Sequence, residues 1–386
     1  FDGGWIWVIP FNNHRAATNP LTSVGMMLDR RKHPHPQGPP EQEFRRIISQ
    51  YPTVARHFAD ARAVRPWFGS GRIQYSSSRL LAPRLLQLPH AASFVDPLYS
   101  SGMSVLTVAV DLIAERLLAA VAENDFATER FQFIEDVVNT GFDHYDKVVS
   151  GSFDSFASYE LWNAWNRNWV LGNMLGAFGP LSLLVRYLAT KDRSHLEQTT
   201  QPGRIGVLGS HLPEVVAVMR HSQAALDDAL AGRSSHAEAS RRIFDRLAAC
   251  DFLPPYMGFG KADQHVQSTF TLLAGARAVT WFRRNGTPQW RDNCTFPLGH
   301  YALEAARSMA GGTREAVRDA WGGVRDVFFA GNREWRYQPA AMQAHGRRWD
   351  PIGQLAAPEP GDDRDAAAPE AERPAASDAT VPTRVG

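Results

Sequence analysis

Cysteine is scarce in this chain of 386 residues. Cys250 and Cys294 are the only two, too few for a disulfide framework or a four-thiolate zinc site. An excess of one charge is also lacking: Lys and Arg total 41 against 40 for Asp and Glu, which leaves no basic footprint for nucleic acid or an anionic membrane surface. The apolar run near the start, Trp5 to Phe11, is far short of the roughly 20 residues that span a bilayer and has neither the charged start nor the cleavage site of a signal peptide. These absences point to a cytoplasmic chain with no membrane or nucleic-acid partner. What is present is a hydrophobic content of 44%, enough for a sizeable core and for more than one domain.

The character of the sequence changes along its length. Gly4 to Pro10 and Thr22 to Asp29 are aromatic and β-branched and read as neighbouring strands of one sheet. Residues 31–40 form a loop rich in Pro, His and Arg, and helix formers follow over 41–50 and 53–61, broken at Pro52. Strands are expected again at 71–78 and 85–88. From Met103 the spacing of Leu106, Val110, Ile113 and Leu117 predicts a long helix. Further helices are expected at about 128–149, 155–190, 211–231, 235–250, 264–283, 297–310 and 313–330. Beyond Ala356 large apolar residues almost vanish, so the tail cannot offset its ordering entropy. The expected organisation is a strand-rich part over 1–95, a turn and helical region over 96–350 and a disordered tail over 356–386.

Three strings carry chemistry. Trp5-Ile6-Trp7-Val8-Ile9-Pro10 puts two indoles on one face of a strand, which is equally the pattern of a core face. Asp96-Pro97-Leu98-Tyr99-Ser100-Ser101-Gly102 opens a helix, and free N–H groups there stabilise an anion, although a simple Ser cap would read the same way. Trp162, Trp165 and Trp169 share i, i+3, i+7 spacing, so they form either a core face or an aromatic platform. His33-x-His35 lacks further ligands and implies no metal site.

With Arg65-Pro66-Trp67, Arg72-Ile73-Gln74-Tyr75-Ser76-Ser77 and His90-Ala91-Ala92 in between, the W-x-W-x-I-P and Asp96-Pro97 strings resemble the flavin-dependent halogenases. The resemblance is strongest over 1–110 and looser to about 290. It implies an α+β, FAD-hydroxylase-like fold in which a strand-rich substrate-domain sheet precedes a large helical region. It also implies electrophilic halogenation of an electron-rich aromatic, using oxygen, chloride or bromide and reduced FAD from a separate flavin reductase. On that resemblance Trp5, Trp7 and Pro10 would line the tunnel between flavin and substrate. His90, Asp96, Pro97, Leu98, Gly102 and Met103 would contact the cofactor, Ser101 and Gly102 would offer N–H groups to halide, and Tyr99, Trp162 and Trp165 would face a small aromatic substrate, free or tethered to a carrier protein.

The chain departs from that family in three places. It has no G-x-G-x-x-G for the pyrophosphate, and a chain that starts at Phe1 directly before a strand is expected to be truncated at its N-terminus. Its lysines are Lys32, Lys147, Lys191 and Lys261, none in the context of the family's catalytic lysine, which is therefore expected to be absent. Pro89-His90 replaces a Gly-Asp pair common in the family, and Tyr99 replaces the glutamate of tryptophan-specific members, which argues against free tryptophan as substrate. A flavin-dependent aromatic hydroxylase and a catalytically inactive helical interaction remnant are the alternative readings.

Overall fold

The computed structural model describes residues 1–12, 17–34, 38–265 and 272–303. The alternating pattern near the start makes strand β1 (Gly4–Pro10), antiparallel to β2 (Thr22–Leu28), with Trp5 opposite Met27 and Trp7 opposite Gly25. Two helices with proline in the first turn follow, α1 (Pro40–Ile48) and α2 (Pro52–His57), broken where Pro52 predicts. The next strands are short: β3 (Tyr75–Ser76), β4 (Leu81–Ala82), β5 (Leu85–Leu86) and, after helix α3 (Pro89–Ala92), β6 (Ser93–Phe94). Among the described residues the strands form three separate pairs, β1–β2, β3–β6 and β4–β5. The single strand-rich sheet expected over 1–95 is thus absent from the described residues, because strands of two residues offer one neighbour each and propagate no ladder.

Helix α4 (Ser101–Glu123) starts the helical body, followed by α5 (Gln132–Ser155) and α6 (Tyr159–Thr190). The apolar stripe expected on α4 is only partly the buried one. Val105, Ala109 and Leu112 face the core and Ile113 packs beside them, whereas Val110 and Leu117 are exposed, since α4 has apolar residues on more than one face and packs on α5 through the face with the small Ala109. After α7 (Ser194–Glu197) come α8 (Pro213–Leu230), α9 (His236–Ala248), α10 (Leu272–Asn285) and α11 (Pro288–Cys294). Ser235 accepts from the Glu238 amide at 3.1 Å, which caps α9 in the Ser-x-x-Glu manner. The helix expected over 297–310 is described only to residue 303, and the helix at 313–330, the tail at 356–386 and His35 lie outside the described residues.

α6 is long and apolar enough to cross a membrane by composition. Here it is the central helix of a packed body: α5, α8, α9 and α11 lie against it, and 56% of its most apolar stretch is buried. A helix that is apolar all round belongs inside. The turn Val207–Gly209 wedges against it, with Leu208 and Gly209 in the left-handed region (φ 52° and 70°). It fits because α6 presents glycine there. A Cβ on Gly172 would stand 2.3 Å from the Leu208 carbonyl oxygen, and one on Gly176 would stand 2.8 Å from the Gly209 nitrogen. Gly179, one turn on, has nothing nearer than 3.8 Å.

Gly172→Ala should therefore destabilise the fold by about 2 kcal/mol or more, because the clash is with backbone and cannot be relieved by a rotamer. Gly179→Ala, whose Cβ meets nothing nearer than 3.8 Å outside its chain neighbours and sits only beside Pro180, should cost less than Gly172→Ala. Urea unfolding of the two variants side by side reads the difference.

Candidate functional site

The site is assembled where Trp5 of β1 meets the Asp96 turn that leads into α4. Period-2 spacing places Trp5 and Trp7 on the same face, with ring centroids 5.7 Å apart. Gly25 is required opposite: its Cβ would fall 1.8 Å from the Trp7 ring, so the indole lies directly across β2. Trp7 Nε1 donates to Ser23 Oγ at 3.3 Å and stays within the hairpin. Trp5 Nε1 instead donates to Asp96 Oδ1 at 3.2 Å, 91 residues away in sequence. Pro10 is at the far, exposed end of β1, paired with Thr22.

The turn from Asp96 to Ser101 is tightly specified. Asp96 is 3% exposed, and its Oδ1 also accepts from the Leu98 amide at 2.8 Å. Tyr145 of α5 donates its hydroxyl to the Asp96 carbonyl and to the Leu98 carbonyl, the latter at 2.7 Å. Tyr99 and Ser100 then take left-handed backbone conformations (φ 67° and 57°), which cost energy for residues other than glycine and persist only where the surroundings impose them. The Tyr99 ring stacks on Trp169 at 4.7 Å, and its hydroxyl shares a 2.9 Å hydrogen bond with Ser152 of α5.

This turn delivers the N-terminus of α4, 23 residues long, with no side chain capping it. First-turn amides of an α-helix have no acceptor within the helix, and the helix dipole adds partial positive charge there. Those amides belong to Ser101, Gly102 and Met103. His90 hangs over them: a Cβ on Gly102 would lie 2.7 Å from His90 Nε2, so glycine is what lets the imidazole approach. His90 is held by α3, by the ring of Phe94 at 5.8 Å, and by a hydrogen bond from Tyr75 to its carbonyl.

The structure thus brings Trp5, His90, Asp96, Leu98, Ser101 and Gly102 together. Pro97 and Met103 flank them at the surface. Tyr99, Trp162 and Trp169 form an aromatic wall behind the turn, and there Trp169 Nε1 and Asn166 Oδ1 are buried with no partner among the described residues. Trp165 stands apart from that wall's free edge. It is fully buried against Gly151 of α5, and its N–H is committed to the Val148 carbonyl at 2.9 Å, so it is core and not a surface for substrate. The sequence reading passed over Tyr145, Ser152 and Asn166. Each is a single polar residue in a helical pattern, and its importance comes only from what folds against it.

Burial dominates the electrostatics. It pushes the Asp96 carboxyl up to about 6, against the opposing hydrogen bonds from Leu98 and Trp5. The Tyr99 phenol is likewise raised by burial, with its contacts to Ser152 and Trp162 opposing. His144 of α5 is lowered to about 4 by burial and by Lys147, so it is neutral and structural. Both cysteines are buried, and burial raises both thiols, which leaves no activated nucleophile. Among the described residues no cluster of three His, Cys, Asp or Glu could hold a metal. Lys32 pairs with Asp2 and Lys191 lies over Tyr187, both away from the turn. A cleft of about 360 Å³ lined by Tyr256, Arg277 and Trp281 lies on α10, with none of the turn's residues in its walls.

No family model matches the chain. It is 34% identical over 287 residues to monodechloroaminopyrrolnitrin halogenase PrnC of Pseudomonas fluorescens, covering 73% of this chain and 51% of that protein. To tetracycline 7-halogenase of Kitasatospora aureofaciens it is 39% identical over 297 residues, covering 76% and 52% respectively. A weaker match, 23% over 146 residues, is to the 1H-pyrrole-2-carbonyl-(peptidyl-carrier protein) chlorinase of Pseudomonas fluorescens, with 38% of this chain and 31% of that protein covered. In structure it resembles halogenase PltM, solved in complex with phloroglucinol and FAD, with a TM-score of 0.64 at 30% identity over 68% of this chain and 53% of that one. The relatives are halogenases, and the resemblance read from the motifs holds in both sequence and mixed α+β fold. The chain spans about half the length of the curated relatives it matches.

The raised carboxyl has a measurable consequence. Asp96 holds its proton more tightly folded than unfolded, so the folded state binds the extra proton between pH 4 and 6 and stability from this group falls as pH rises through that window. The full loss is about 3 kcal/mol. Asp96→Asn keeps an oxygen for Trp5 and Leu98 but cannot ionise. Its urea-unfolding free energy should therefore change less between pH 4 and pH 7 than that of the wild type, by up to about 3 kcal/mol.

Proposed function

We propose that this chain is the substrate-side and halide-side part of a flavin-dependent halogenase acting on an electron-rich aromatic. The observation that carries the reading is the uncapped N-terminus of α4, preceded by a turn whose Asp96 is bound by Trp5 of the tryptophan strand. Amides at a helix N-terminus stabilise an anion, and here they belong to Ser101 and Gly102. Halide and the anionic edge of a reduced flavin are the two anions that halogenation requires.

The residues fit the ring end of FAD. Gly102 lies beside the turn with room for no side chain, His90 can donate or accept a hydrogen bond, and Leu98 and Met103 supply apolar flanks. They do not supply the pyrophosphate cradle, for which no G-x-G-x-x-G is present. When bound, reduced FAD supplies with oxygen the oxidising equivalents that convert halide to an electrophile, and a separate flavin reductase would regenerate it.

The protein's own part is positional. The first turn of α4 holds halide as a desolvated anion. Trp5 and Trp7 fill the space beside the turn, so that substrate is kept from the flavin and only a small oxidised halogen species passes. Tyr99, Trp162 and Trp169 offer aromatic faces to the substrate, and the unpartnered Trp169 N–H and Asn166 oxygen offer it polar handles. Tyr99 brings no carboxylate, so this wall suits phenols and pyrroles, free or tethered to a carrier protein.

Gly102→Asp puts a fixed negative charge where halide would sit, while remaining favourable for the helix. The apparent affinity for bromide should weaken about tenfold or more. Because the new Cβ would also meet His90 Nε2 at 2.7 Å, Gly102→Ala, which adds that Cβ without the charge, is measured beside it and should weaken bromide less. Mass spectrometry of products formed with FAD, a flavin reductase and bromide or chloride tests the reaction: halide-dependent product masses are expected. A hydroxylated product that forms without halide would overturn the assignment.

A further inference from the structure

We infer that Asp96 is a positioning residue that fastens the tryptophan strand to the anion-facing turn, so that the two move as one unit. Among the described residues no other side-chain hydrogen bond joins β1 to this turn. Asp96 Oδ1 accepts simultaneously from Trp5 Nε1 at 3.2 Å and from the Leu98 amide at 2.8 Å. One bond reaches across 91 residues to β1, and the other closes the turn in which Tyr99 and Ser100 are held left-handed. The Asp96 backbone is anchored in turn by Tyr145 of α5. Displacing Trp5 therefore pulls on the same oxygen that shapes the entry to α4, and relaxing the turn frees the Trp5 indole.

The chemistry of the group fits a joint better than a structural filler. The carboxyl is 3% exposed, and its second oxygen, Oδ2, is buried with no partner among the described residues. A buried carboxyl with one unsatisfied oxygen is costly and would be replaced without loss if stability were its only role. Its value lies in the shared acceptor. An oxygen that binds two donors from distant segments couples them, as a hydrophobic contact would not. This inference rests on the halogenase reading for what the turn holds, but the joint itself is a property of the chain alone.

The test uses hydrogen exchange and indole nitrogen-15 NMR on the 386-residue chain, without cofactor. Trp5→Phe identifies the Trp5 indole signal by its loss. In Asp96→Ala that signal should shift and exchange faster, and the Leu98 amide should exchange about tenfold faster. Trp5→Phe alone should accelerate Leu98 by a similar factor, and the double variant by no more than either single one. Exchange at Leu171 in the core of α6 should stay unchanged, which separates loosening of the joint from general unfolding. Asp96→Asn, which retains the acceptor, should restore both signals and serves as the readable variant if Asp96→Ala does not fold. An unmoved Trp5 indole signal in Asp96→Ala, additive effects in the double variant, or loss of the joint in Asp96→Asn would overturn the inference. Bromide titration of the wild-type Gly102 amide is read separately: no response there sinks the halide reading and leaves the joint standing.

Discussion

The structure depends on how closely the turn Val207–Gly209 approaches α6. The Leu208 carbonyl rests where Gly172 has no side chain, and Gly209 backs onto Gly176. This contact lets one irregular segment serve as a hub for α4, α5 and α6. Backbone in so close a position must have its polar groups and its shape accommodated at once. With α4 and α5 fixed against this hub, Tyr145 and Ser152 of α5 stand at the right height to hold Leu98 and Tyr99. The geometry of the turn is therefore inherited from packing well away from it.

The turn itself trades stability for exposed donors. Two residues in left-handed conformation and a helix end without a side-chain cap each cost free energy that an ordinary Ser or Asp cap would have saved. Ser100 and Ser101 have the chemistry to cap α4 and do not. A helix end left in this state is a place where local capping rules are not followed. First-turn amides donate to any hydrogen-bond acceptor, and the helix dipole adds a preference for negative charge among them.

Much of this was legible in the sequence, and what was not has a physical reason. The bounds of β1, the break at Pro52 and the long helix after Gly102 followed from alternation, proline and helix propensity. The strand expected over 71–78 survives only as Tyr75–Ser76, because β-rich composition makes no sheet without neighbours to pair with. The buried face of α4 was only partly assigned because apolar residues occupy more than one of its faces, and periodicity alone does not choose between them. Trp162, Trp165 and Trp169 share one spacing and have different fates: Gly151, on another helix, makes room for Trp165 alone. The residues of the turn were evident as a motif. That Trp5 reaches Asp96 was not, because no local pattern encodes a bond across 91 residues.

α6 carries a cost that is kinetic. Its partners are divided along the chain, with α5 made before it and α8, α9 and α11 made after it. As the polypeptide leaves the ribosome, a helix apolar on every side stands half covered until the segment ending at Cys294 has emerged. Contacts so far apart in sequence form slowly, and a surface of this kind is open to chaperones and to self-association in the interval. The yield of folded protein in a cell should thus follow the pace of synthesis through the stretch after Thr190 more than the stability of the finished fold.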